Sequence, residues 1–256
     1  MPATPQVSSE RRVALVTGAA QGIGAAIASR LAADGVNLAL ADLGPRERTA
    51  EVATSLAEAH GITAQAYHVD IRDSASCQRL VKDVVADFDG LDILVNNAGV
   101  NARGNTVEMP ESTWLDVVDT NLNGTYRMSV AAYPALRERQ GAVVNLASTA
   151  GLIAVKGSAA YAVSKAAIIH MTRVFALEWA QDKVRVNAVG PTIVPTAMTA
   201  DVRDNPDYMR EKLASIPMGQ MVQASDVAEA VVWLASPAAR LVTGQTLFVD
   251  GGATII

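Results

Sequence analysis

The folds open to this chain are limited most by a rhythm: short aliphatic runs alternate with longer, Ala-rich stretches whose apolar residues recur at helical spacing. Parallel strands need a helical crossover between them, so this alternation is the mark of βαβ units building a parallel sheet. Segments 12–16, 37–41, 64–69 and 91–95 read as strands. Between them, 22–33 reads as a helix stopped by Gly35 and 46–60 as one ended by Gly61, and a third, capped by Asp73 or Ser74, runs to Phe88. The second half repeats the pattern with a long helix from about 112, a strand 142–146, a helix 158–181 and a strand 184–189. No Pro/Gly/Ser-rich linker separates the halves. The expectation is one doubly wound α/β domain over 12–256, preceded by a loose polar tail over 1–11. Segment 196–221 breaks the rhythm, holding Pro206, Pro217 and the methionines 198, 209, 218 and 221. It is expected outside the sheet, as a short, adaptable helical flap over a ligand.

Between the first strand and its helix lies Thr17-Gly18-Ala19-Ala20-Gln21-Gly22-Ile23-Gly24. Glycines there let the backbone approach a pyrophosphate, and the free N–H groups of a helix start favour negative charge. Gly18, Gln21, Gly22, Ile23 and Gly24 are therefore expected at a dinucleotide. Asp42 closes the second strand, where a carboxylate accepts hydrogen bonds from both ribose hydroxyls of the adenosine half and repels a 2′-phosphate. Gln21 is neutral, and the nearest following cations in sequence are Arg46 and Arg48, so NAD is expected over NADP. Leu43 beside Asp42, Asp70 and Ile71 after the third strand, and Asn97, Ala98 and Gly99 after the fourth fall at strand carboxyl ends, where ligands gather. The amide of Asn96 is read as pinning neighbouring backbone.

In Ser158-Ala159-Ala160-Tyr161-Ala162-Val163-Ser164-Lys165, a four-residue spacing puts the Tyr161 phenol and the Lys165 ammonium on one helix face. A nearby cation favours phenolate, which would bring Tyr161 down toward working pH and make it a proton shuttle. Ser148, at the end of the fifth strand, is placed to hold a substrate carbonyl, and Asn121, in the preceding helix, to hold a water linking Lys165 to solvent.

These residues together resemble the classical short-chain dehydrogenase/reductase family. The turn 17–24, Asn96 to Gly99, Asn121, Ser148 and Tyr161 with Lys165 fall in its order and spacing, and the likeness runs from about Arg12 to Gly252. The resemblance implies a Rossmann-type seven-stranded sheet and a catalytic set of Asn121, Ser148, Tyr161 and Lys165. It also implies a homotetramer built through the long fourth and fifth helices, and a Lys165 that holds the nicotinamide ribose. Where the family reads Pro-Gly after the sixth strand, this chain has Pro191-Thr192; by similarity, Pro191, the Val194 backbone and the Thr196 hydroxyl are expected at the nicotinamide. Segment 191–198 looks like sugar-alcohol reductases of the family, and 199–221 with Ala235-Ser236-Pro237 resembles polyol dehydrogenases. The reaction so implied is NAD-dependent oxidation of a short polyol such as threitol, xylitol or arabinitol to its ketose, with Asn101, Arg103, Asn105, Ser148 and Lys156 as donors to further hydroxyls. The alternatives are reduction of a 3-oxoacyl thioester and a dinucleotide-sensing protein without turnover.

Half of the 256 residues are hydrophobic, which gives ample core, and the formal charge of −5 comes with no basic stripe, so nucleic acid is not an expected partner. Cys77 is the single cysteine, so no internal disulfide forms and a reducing, cytoplasmic setting is expected, without a membrane helix or a signal-peptide core in the sequence. His60, His68 and His170 lack metal-ligand spacing, so no metal is expected. Cys77 is read as structural, and Trp114, Trp179 and Trp233 as packing residues.

Overall fold

A computed structural model describes residues 11–255; of the tail expected over 1–11, all but Arg11 lies outside the described residues. Strands β1 (Val13–Thr17), β2 (Asn37–Asp42), β3 (Ala64–His68), β4 (Ile93–Asn96), β5 (Ala142–Leu146), β6 (Arg185–Pro191) and β7 (Thr246–Val249) form one sheet in the order β3-β2-β1-β4-β5-β6-β7. Every neighbouring pair is parallel. Helices α1 (Gly22–Ala33), α2 (Arg46–His60), α3 (Ser74–Phe88), α4 (Glu111–Val118), α5 (Gly124–Arg139), α6 (Ala159–Trp179), α7 (Ala200–Arg203), α8 (Pro206–Ala214) and α9 (Ala224–Ala235) complete the chain. The strand order reverses between β1 and β4, which opens a crevice at their carboxyl ends.

Successive strand residues face opposite sides, and both sides are covered. On one face Ala14, Val16, Leu38, Leu40, Ile93 and Val95 pack against Ile27 and Leu31 of α1 and Val227 and Val231 of α9. On the other, Leu15, Ala39, Leu94 and Val143 meet Cys77 and Leu80 of α3, Met128 and Leu136 of α5, and Phe175 of α6. Burial of β1 and β5 at every position explains why they read as unbroken aliphatic runs. Burial also pushes the Cys77 thiol up to about 11, which leaves it an inert packing group.

The differences from the sequence reading sit at element ends. β1 and β6 run on to Thr17 and Pro191, one and two residues past the expected ends, and Asp73 rather than Ser74 caps α3, its carboxylate accepting the Ala75 N–H. The helix expected from 112 is divided: a π-helical stretch, Asp119–Asn123, joins α4 to α5. Segment 196–221 lies outside the sheet as a short turn (Ala197–Thr199), α7 and α8. Its end is anchored: Ile216, with Met209 and Met221, packs on Ile193 and Ala253, while the Met218 N–H donates to the Gly251 carbonyl at 3.1 Å. Trp179 is buried on Phe175, but Trp233 stays 44% exposed. Among the described residues, no helix is long and apolar enough to cross a membrane.

Candidate active site

A cavity of about 360 Å³ opens where β1 and β4 diverge. Its outer wall is the turn after β1. Gly18 sits at φ +65°, and a Cβ there would lie 2.9 Å from the Ala98 Cα, so neither the conformation nor the space admits a side chain. The turn is fastened to the loop after β4: Asn97 Nδ2 donates to the carbonyls of Thr17 and Gly18, both at 2.9 Å, and Thr17 Oγ1 accepts the N–H groups of Asn97 and Ala98, both at 3.1 Å. Gly18, Gln21, Gly22 and Ile23 line the cavity. Gly24 does not; a Cβ on it would lie 2.1 Å from the Gly18 carbonyl oxygen, so it lets α1 start directly beneath the turn. α1 begins with no side-chain cap and no acidic residue in its first turn, so its N–H groups and positive dipole end face the cavity uncompensated.

Asp42 and Leu43 line the same cavity. The Asp42 oxygens accept one backbone N–H each, from Ala20 at 3.1 Å and Gly44 at 3.0 Å, leaving lone pairs free for ligand hydroxyls. Arg46 turns away, donating to the Ala66 carbonyl at 3.2 Å, and neither it nor Arg48 reaches the lining. Asp70 and Ile71 are also at the wall. The Asp70 carboxylate is held by Arg72, with Nη2 at 2.8 Å and Nε at 3.0 Å, and these hydrogen bonds keep its pKa below the ordinary value. Arg72 escaped the sequence reading, because nothing in its spacing distinguishes it from a surface cation.

At the inner end stand Tyr161 and Lys165, both on α6 and both lining the cavity with Asn97, Ala98 and Gly99. Lys165 is buried; its Nζ donates to the Leu146 carbonyl at 2.7 Å and lies 5.5 Å from the Tyr161 ring centre. Loss of hydration lowers Lys165 from 10.5 to about 8. Tyr161 does not shift as the helix spacing suggested: burial raises it above its ordinary value, and the Ser148 hydrogen bond and the Arg103 charge pull it back only in part. Ser148 thus adjoins the phenol, while its Oγ also accepts the Ala150 N–H at 3.2 Å and lies 3.5 Å from the Pro191 carbonyl.

Asn121 sits in the π-helical stretch, fully buried, with its amide spent elsewhere: Oδ1 accepts the Val100 N–H at 2.8 Å, and Nδ2 donates to the Val100 carbonyl at 2.9 Å and to Ser164 Oγ at 3.1 Å. Its side chain braces the β4 loop against α6. Asn96 likewise bonds side chains rather than backbone, donating to Ser129 Oγ and Asn145 Oδ1, both at 2.9 Å; Asn145 Nδ2 continues to Thr172 Oγ1 at 3.0 Å. This buried chain of amides ties β4 to β5 and α6.

Pro191 and Thr196 line the cavity. Val194 is buried away from it, its carbonyl taken by Thr199 Oγ1 at 2.8 Å, and buried Thr192 Oγ1 has no partner among the described residues. Of the four methionines of the irregular segment, Met198 alone reaches the cavity. Val69, Leu146 and Ala147 also line it; their positions at strand ends were the available signal.

A family model described as enoyl-(acyl carrier protein) reductase matches residues 18–254. The chain is 39% identical over 240 residues to the 3-oxoacyl-(acyl-carrier-protein) reductase FabG of Staphylococcus aureus, covering 93% of this chain and 96% of that one. Among solved structures, a gluconate 5-dehydrogenase from Burkholderia cenocepacia, in complex with NADP and tartrate, superposes with a TM-score of 0.93 at 29% identity, covering 96% of each chain. A short-chain type dehydrogenase/reductase from Mycobacterium marinum gives 0.91 at 29% identity, covering 96% of this chain and 97% of that one. The chain is accordingly an oxidoreductase of the classical short-chain dehydrogenase/reductase family, whose members use a nicotinamide dinucleotide.

Proposed function

We propose that this enzyme interconverts a secondary alcohol and its ketone with NAD(H). The observation that carries the reading is one cavity with an uncapped helix start and Asp42 at one end and Tyr161 and Lys165 at the other, with Ser148 beside the phenol. Gly18, Gly22, Ile23 and the start of α1 would hold the pyrophosphate, Asp42 the adenosine ribose, and Lys165 the nicotinamide ribose. The bound nicotinamide supplies the hydride acceptor or donor. In oxidation, Ser148 Oγ holds the substrate oxygen and Tyr161 takes the hydroxyl proton as the carbon loses its hydride; in reduction Tyr161 returns it. Lys165, desolvated and close to the ring, favours the phenolate whenever it carries its own proton.

A short polyol remains the substrate class read from the sequence. Reduction of a 3-oxoacyl thioester is the second reading, favoured by the activity for which the Staphylococcus aureus relative, at 39% identity, is named. A panel followed at 340 nm separates them: NAD and NADP with C4 to C6 polyols, and acetoacetyl thioester with NADH and NADPH. Turnover of polyols with NAD supports the first reading; thioester reduction with silence on every polyol overturns it. Exposed Tyr126 and Val130 on α5 and Val163, Val174 and Leu177 on α6 support the expected homotetramer, which sedimentation velocity tests.

A further inference from the structure

We propose that Arg103 reads a carboxylate on the substrate, so that the enzyme prefers hydroxy acids to neutral alcohols of the same length. The inference rests on the alcohol–ketone reading above and adds to it a charge requirement.

Segments from three parts of the chain meet at Arg103. It lies on the loop after β4. That loop is joined to the lead-in of α6 by the Gly104 N–H, which donates to the Gly157 carbonyl at 3.0 Å. It is joined to α7 by Arg103 Nη1, which contacts both Asp201 oxygens at 2.8 Å. Val100, three residues before Arg103, and Met198, three residues before Asp201, both line the cavity, so the Arg103–Asp201 pair bridges two segments that flank the site, and the guanidinium charge acts to lower Tyr161. Lys165, the other cation at that end, is already committed to the Leu146 carbonyl.

Arg103 uses a single nitrogen on Asp201. Its Nε and Nη2 make no hydrogen bond among the described residues, although the side chain is only 31% exposed. That free edge is a planar pair of donors with the spacing a carboxylate accepts two-fold. Asp201 does not supply the second partner: it is 61% exposed and rides on a four-residue helix that buries no side chain. Ion pairs of that exposure are weak, so Arg103 steadies α7 more than α7 fixes Arg103. Two residues before it, Asn101 Oδ1 is buried without a partner, an acceptor of the kind that a substrate hydroxyl satisfies.

A ligand-reading arginine and a strut holding α7 in place predict opposite outcomes when the two partners are changed separately. The test is calorimetric binding of a C5 aldonate and the matching C5 alditol to the full-length protein loaded with NAD. The wild type is expected to bind the acid about tenfold more tightly than the alditol, as charge-assisted pairs allow. Arg103→Gln is expected to abolish that preference, and Asp201→Asn, which removes the competing negative charge, to tighten the acid about threefold or more. Equal affinities in the wild type, no binding of either compound, or an Asp201→Asn variant that weakens both ligands in step with Arg103→Gln would overturn the proposal. Because binding rather than turnover is read, the two readings fail separately. Retained turnover in Tyr161→Phe sinks the reaction assignment alone, and equal binding of acid and alditol sinks the role of Arg103 alone.

Discussion

Replacing Asp42 by Asn tests the coenzyme assignment most directly, because the change removes one charge and almost no volume. The Asn oxygen still accepts one of the two backbone N–H groups, from Ala20 or Gly44, so the turn keeps part of its fastening. In the wild type a 2′-phosphate would stand against the carboxylate with at least one unit of like charge. At about 4 Å and an effective dielectric of about 20 that repulsion is about 4 kcal/mol; halving it for the open mouth of the cavity leaves about 2 kcal/mol. With NAD, the variant also loses the charge assistance of the ribose hydrogen bonds, about 1 kcal/mol. The ratio of kcat/KM for NAD over NADP is thus expected to fall by about 100-fold, mostly through NADP gaining rather than NAD losing. Initial rates with both coenzymes at a saturating alcohol give the ratio. A ratio that stays within about threefold of the wild type would show that the ribose does not meet Asp42.

Tyr161→Phe is expected to lower kcat by about 10² to 10⁴-fold while coenzyme affinity, read by fluorescence quenching, holds; a wild-type rate refutes the proton-transfer role. Gly18→Ala forces a Cβ into a left-handed turn and against Ala98, at a cost of about 1–3 kcal/mol in urea unfolding, and an unchanged midpoint would show that the turn relaxes freely. Lys165 has a folded value of about 8 against an ordinary 10.5, so between those pH values the unfolded chain holds a proton that the folded chain has lost, and stability rises with pH. Lys165→Met removes that burden of up to about 3 kcal/mol, so its stability advantage is expected to be largest below pH 8 and to shrink toward pH 10; a gap independent of pH refutes the buried ammonium.

The βαβ rhythm was legible because buried parallel strands leave no polar alternation to blur it, and the strand-end rule brought Asp42, Asp70 and Asn97 to the cavity that Tyr161, read from its helix spacing to Lys165, also lines. What escaped was set by tertiary partners. The π-helical stretch that carries Asn121 has no local signal, since its side chain is oriented by Val100 and Ser164 from other segments. Arg72 looks like an ordinary surface cation until folding turns it onto Asp70, and Arg103, read as a donor to substrate hydroxyls, gave no sign of its pairing with Asp201. The direction of the Tyr161 shift went wrong for a related reason: helix spacing gives the nearness of Lys165 but not the depth of burial, and burial dominates.

Helices α7 and α8 fully bury no side chain, whereas α6 buries Ala160, Ser164, Lys165 and Ile168, and β5 is buried at every position. Apart from Val202, Tyr208 and Met209, which pack on Ile193 and Ile216, substitutions in those two helices leave the interior untouched, while Met198 just before them lines the cavity. A lineage can therefore change what the cavity admits through Thr196, Ala197 and Met198, with the proton-handling apparatus inherited intact.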